Sequence, residues 1–174
     1  MRFLIIIALL ALSGPAFAEP IWITQDFQGG KCVDVASGDV DKGEDYIIRQ
    51  CKSFPGVSTW VHYREGVRFY VGFGRKPNLA LIGADTNRGD WPLIWGGKKR
   101  GGKFAPEVVI GRFMILGEEP SVKRLYVFRL LNNGMSCVVA EVDPSSTQSE
   151  KARTIATAAM KKWTCLYESQ PLKY

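Results

Sequence analysis

The chain has 174 residues, 46% hydrophobic and 23% charged, with a formal net charge of +6. That length and apolar content suit one domain with a sizeable core. The longest apolar run, Phe3 to Leu12, falls short of the roughly 20 residues a membrane-crossing helix needs, and a single histidine, His62, argues against a zinc site.

Residues 1–18 have the form of a secretory signal peptide. Arg2 precedes the apolar run, Gly14-Pro15 breaks it, and Ala16-Phe17-Ala18 supplies a small-x-small cleavage site. Cleavage after Ala18 would leave one α+β domain, residues 19–174, in the periplasm or secreted. The mature chain would carry 22 basic against 17 acidic residues, because only Arg2 is lost. An excess of this size fits either an anionic envelope partner or simple solubility.

Four cysteines, Cys32, Cys51, Cys137 and Cys165, remain after cleavage. An even count in an exported chain favours disulfides, and three connectivities are possible. Sequential pairing, Cys32 with Cys51 and Cys137 with Cys165, is the expected one. No Cys-x-x-Cys pair is present, so neither a metal nor a cofactor is expected.

In chain order, Ile21-Trp22-Ile23 and Lys31 to Val35 have the character of short strands. The loop Ser37 to Asp45 carries Asp39, Asp41, Glu44 and Asp45, without the spacing of a calcium-binding EF-hand. Tyr46 to Gln50 leads into Cys51. Period-two alternation over 57–64 and again over 67–74 then predicts a hairpin. A three-residue loop, Arg64-Glu65-Gly66, would pair Tyr63 with Val67, Val61 with Phe69, Thr59 with Val71 and Val57 with Phe73. One face is then core. The other presents Trp60, His62, Arg68 and Tyr70, with Gly72 and Gly74 allowing close approach to the backbone.

Arg75 to Asp90 is irregular, with a possible helical turn over 79–82. Trp91 to Trp95 predicts a strand. The segment Gly96 to Lys103 predicts a hairpin tip holding Lys98, Lys99 and Arg100, with Lys103 beside them, as a polyanion contact or a solubilising turn. Phe104 to Leu116 returns as a strand. Leu125 to Leu131 and Met135 to Val142 form a second hairpin about Asn132-Asn133-Gly134. Its strands are apolar on both faces, so something must cover them. The cover is a helix over about 149–163, opened by a capping box at Thr147 and Glu150. It would bury Ala152, Ile155, Ala156, Ala159 and Trp163. The resulting fold is α+β: an antiparallel sheet of about six to eight strands under one C-terminal helix, with two disulfides.

The pattern resembles a family of exported, disulfide-containing bacterial proteins, mostly alphaproteobacterial, of unassigned function. The residues carrying the resemblance are Cys51 with Pro55-Gly56, then Val61, Glu65-Gly66-Val67-Arg68-Phe69 and Val71-Gly72-Phe73-Gly74. Arg112, Cys137 and Ala152-Arg153-x-Ile155-Ala156 running to Cys165 complete them. The match spans about 30–165 and departs from the family at Val67, where an Asp is usual, and after Cys165. It implies an exported, disulfide-bonded α+β protein and no reaction.

Function is therefore expected to be non-enzymatic: a binding or inhibitor module meeting an envelope protein or an anionic envelope polymer, not nucleic acid. The residues expected to bind are Trp60, His62, Arg68, Tyr70, Lys98, Lys99, Arg100 and Lys103. A carrier with an apolar cavity beneath the helix is the alternative. A hydrolase built on His62 with Ser58 or Ser136, or on Glu107 and Glu141, has less support, because no G-x-S-x-G or HExxH motif accompanies them.

Overall fold

In a computed structural model the described residues are 19–27, 32–64, 68–79, 84–85, 92–115, 122–168 and 170–171. The expected signal peptide lies outside them. The architecture turns on the longest strand, β9 (Lys103–Ile115). On one side it pairs with β10 (Lys123–Leu130), which pairs in turn with β11 (Ser136–Val142). On the other it pairs with β8 (Pro92–Arg100) over most of its length and with β7 (Ala84–Asp85) at its end. The sheet therefore divides at β9. One branch continues from β8 to β1 (Ile21–Asp26). The second runs from β7 through β5 (Arg68–Gly74), β4 (Val57–Arg64) and β3 (Tyr46–Phe54) to β2 (Cys32–Ser37).

The chain ends with the helix α1 (Gln148–Ala159), β12 (Tyr167–Glu168), which pairs with β11, and β13 (Gln170–Pro171). β13 pairs with β6 (Asn78–Leu79) as a separate two-stranded sheet. Every pairing is antiparallel. Among the described residues the main sheet has eleven strands, more than the six to eight expected, partly because two-residue strands leave no periodic signature.

Two apolar layers hold this arrangement. The branches fold over each other, so Phe73 of β5 meets Trp95 of β8 edge-on at 5.5 Å and Phe128 of β10 at 4.7 Å. All three rings are fully buried, and burial of Phe73 and Phe128 contributes about 2–3 kcal/mol each. The opposite face of β9 and β10 offers Val108, Ile110, Leu125 and Val127 to Ala152, Ala156 and Ala159 of α1. Apolar composition on both faces of these strands thus corresponds to burial on both faces. The disulfides are Cys32–Cys51, joining directly opposed residues of β2 and β3, and Cys137–Cys165.

Five expectations are corrected. The β4–β5 pairing sets Thr59 opposite Phe73, Val61 opposite Val71 and Tyr63 opposite Phe69, two residues from the expected register. Alternation fixes which face a residue occupies, and a two-residue slip leaves the faces unchanged. The basic triplet does not form the hairpin tip. Lys98, Lys99 and Arg100 extend β8, and the turn is Gly101-Gly102, both at positive φ (56° and 77°) as a two-residue hairpin turn requires. The segment entering the expected helical turn is strand β6, and residues 80–83 lie outside the described ones. Finally, Thr147 makes no capping bond. Buried Gln148 instead donates from Nε2 to the carbonyls of Val142 and Lys123, tying the start of α1 to β10 and β11. The helix ends at Ala159, so Trp163 lies beyond it.

Candidate functional site

Trp60, His62 and Tyr70 share the outer face of β4 and β5, as the alternation requires, but the chain itself covers part of that face. Trp60 is only 4% exposed, and its indole N–H donates to the Gly74 carbonyl at 3.2 Å. A Cβ on Gly72 would sit 2.0 Å from the Asn78 carbonyl oxygen, and one on Gly74 would sit 2.3 Å from that of Gly134. The two glycines do permit close backbone approach, but the approaching backbone is internal. Trp60 is therefore not available as an exposed contact. Arg68 stands opposite Arg64 in the ladder, and its side chain lies outside the described set.

His62 is half-buried between Tyr46, at 5.5 Å and perpendicular, and Tyr70 at 5.9 Å. Burial, with the nearby Arg64 charge, pushes its pKa below the usual imidazole value. Its buried Nε2 has no hydrogen-bond partner. Neither serine considered for hydrolysis serves it. Ser58 Oγ accepts from Gln50 Nε2 at 2.9 Å. Ser136 Oγ accepts the Phe73 N–H and donates to Asn78 Oδ1, while Asn78 Nδ2 donates to the Phe73 and Lys76 carbonyls. These bonds satisfy the Phe73 backbone groups on the edge of β5 beyond its pairing with β7, and their role is structural.

A second grouping stands at the end of the folded sheet, where the Gly101-Gly102 hairpin meets the β5–β6 and β10–β11 connections. A cleft of about 350 Å³ opens there. Its charged walls are Arg75, Arg100, Lys103 and Arg129 against one carboxylate, Glu107. Val57, Phe104, Leu130 and Met135 supply apolar wall. Of the four basic residues singled out in the segment Gly96 to Lys103, Arg100 and Lys103 line this cleft. Lys98 and Lys99 are exposed on β8 and are not among its walls.

A β-bulge creates the centre of this site. Gly96 pairs with Val108 and Gly97 with Pro106, which leaves Glu107 as the extra residue, 6% exposed. Its Oε1 accepts from Arg100 Nη2 at 2.9 Å, and its Oε2 lies 3.5 Å from Arg129 Nη2. Arg129 Nη1 also donates to the Glu107 carbonyl. The Arg129 guanidinium lies 4.7 Å from the ring centre of Trp163, and its buried Nε has no partner. Burial pulls the Arg129 pKa down; Glu107 opposes that shift and Arg100 adds to it.

The sequence reading missed Arg75 and Arg129, placed Trp163 on the buried stripe of the helix, and considered Glu107 only for hydrolysis. The available signal was a lone charge inside a strand apolar on both faces, which demands a buried partner.

The other sites considered offer less. In the acidic loop, Asp39 accepts from the Asp41 amide and pairs with Lys42 at 2.9 Å, so it serves its own turn. No cluster of three or more metal-ligating side chains exists among the described residues. Beneath α1, Ala152 and Ala156 are fully buried against the sheet, in the place where a carrier's cavity was expected. The larger groove there, about 860 Å³, runs along the helix flank rather than beneath it, between Ile94 and the side chains of Arg153, Thr157, Ala158 and Lys161.

Fold and site together define a disulfide-bonded antiparallel α+β protein with a basic cleft at one end of its folded sheet. Set against family models, curated proteins and solved structures, the chain matches none of them.

Proposed function

We propose that the chain is an exported, non-enzymatic binding module, in keeping with the exported bacterial family it resembles, and that it receives an anionic group of the cell envelope at its basic cleft. The observation carrying this reading is the convergence of four cations on one cleft holding a single carboxylate. The leader-like sequence of residues 1–18 and the two disulfides support export. Convergent charge with apolar wall, and both serines bonded away from His62, favour binding over hydrolysis.

The test is retention of oxidised protein, residues 19–174, on the envelope fraction at low and then high salt. Retention should fall with salt and fall again in an Arg75→Glu, Lys103→Glu variant. Retention indifferent to both would remove the cleft from recognition.

A further inference from the structure

Resting on that binding-module reading, we infer that the cleft takes a small anionic amphiphile: one carboxylate or phosphate group carried on an apolar body. Three observations specify it. Arg100 and Lys103 stand directly opposite each other in the β8–β9 ladder, beside the Gly101-Gly102 turn. Like charges so placed repel, and an anion bound between them turns that repulsion into two attractive contacts. Arg75 faces the same cleft from the β5–β6 connection, so the headgroup meets cations contributed by two separate segments.

The base of the cleft is already committed. Glu107 and Trp163 hold Arg129 in place, and Glu107 bridges to Arg100, so the floor of the cleft is formed before any ligand arrives, while Arg75 and Lys103 close on it from the exposed margin. The apolar wall then decides against a bare anion. Arg75 and Lys103 are exposed, and an ion held only by such groups gains little in water. Affinity requires burial of apolar surface against Phe104, Leu130 and Met135. A volume of about 350 Å³, at roughly 30 Å³ per water-sized group, admits on the order of ten non-hydrogen atoms. That suits a short alkyl chain or one ring, not a length of polymer.

The experiment is calorimetric titration of the oxidised protein with octanoate, octyl phosphate, octanol and inorganic phosphate. Octanoate and octyl phosphate should bind, with octanol and inorganic phosphate weaker by roughly tenfold or more. An Arg75→Ala, Lys103→Ala variant changes only exposed side chains and should lose roughly tenfold in affinity for the two amphiphiles. Co-sedimentation with phosphatidylglycerol or phosphatidylcholine vesicles separates the sources. Variant-sensitive binding to the anionic vesicles identifies a bilayer headgroup, and amphiphile binding without vesicle binding identifies a free molecule. Equal binding of octyl phosphate and inorganic phosphate, or of octanoate and octanol, overturns the inference. So does no binding by any probe. If no probe binds while envelope retention still depends on Arg75 and Lys103, this ligand class fails and the binding-module reading stands. If retention fails as well, both fall.

Discussion

Glu107 is one residue out of register, and the bulge that displaces it brings two arginines to one carboxylate. Glu107→Gln removes the charge opposing Arg129, whose side chain is 12% exposed. The loss should be about 2–3 kcal/mol, since the contact with Arg100 is solvent-facing and adds little. It would be seen as a lower urea midpoint at unchanged slope. Ser136→Ala strands the Phe73 amide and takes away the donor to Asn78, and should cost about 1–3 kcal/mol in the same assay. His62 sets a pH dependence. Its folded pKa lies below the unfolded value near 6.5, so the unfolded chain binds the proton more readily. Stability from this group is complete above about pH 6.5 and declines as pH falls from there toward the folded pKa. A His62→Gln variant should flatten that part of the melting-temperature profile. Equal slopes in the two proteins between pH 7 and 5 would assign the dependence to other groups.

At the level of elements, what was legible is what repeats. Alternation revealed β4 and β5, an Asn-Gly turn between apolar runs revealed β10 and β11, helical spacing revealed α1, and the cysteine count led to both disulfides. The paired apolar faces of β10 and β11 even identified which element covers them. Illegible were features that leave the pattern of faces unchanged or that rest on a long-range contact. The two-residue offset of β4 against β5 leaves every face unchanged, and β6 is held over Gly72 by tertiary contact and by β13. Trp163 follows helical spacing, yet the helix stops at Ala159 and Trp163 comes to rest over Arg129, 40% exposed. The cleft was half legible: Arg100 and Lys103 lie in a conspicuous basic run, whereas Arg75 and Arg129 come from distant strand ends. The close seating of α1 gives a prediction at this scale. Ala156 has no exposure, so Ala156→Leu should lift the helix and cost about 1–3 kcal/mol, read in thermal melts. Replacing Cys137 and Cys165 together by alanine opens a loop with a sequence separation of 28 and should cost about 3 kcal/mol.

For the whole molecule, the two-branched sheet lets one strand, β9, serve both apolar layers and also carry the bulge at the basic cleft. Stability and recognition share this strand, so cleft variants are safest at Lys103, exposed at its first position, and at Arg75, exposed on the β5–β6 connection. The branching also separates neighbours in time. β2 to β5 pair with strands that follow closely along the chain, and the Cys32–Cys51 link closes within that stretch. β1 instead pairs with β8, about 70 residues later, a delay of roughly 4–14 s at common synthesis rates. Pairing β1 with β8 closes a far longer loop than pairing β3 with β4, so pulse-labelled refolding should show 21–26 losing protease sensitivity after 46–64. During that interval Ile21, Trp22 and Ile23 remain an unclaimed apolar strand, open to whatever chaperone or neighbouring chain first offers it an edge.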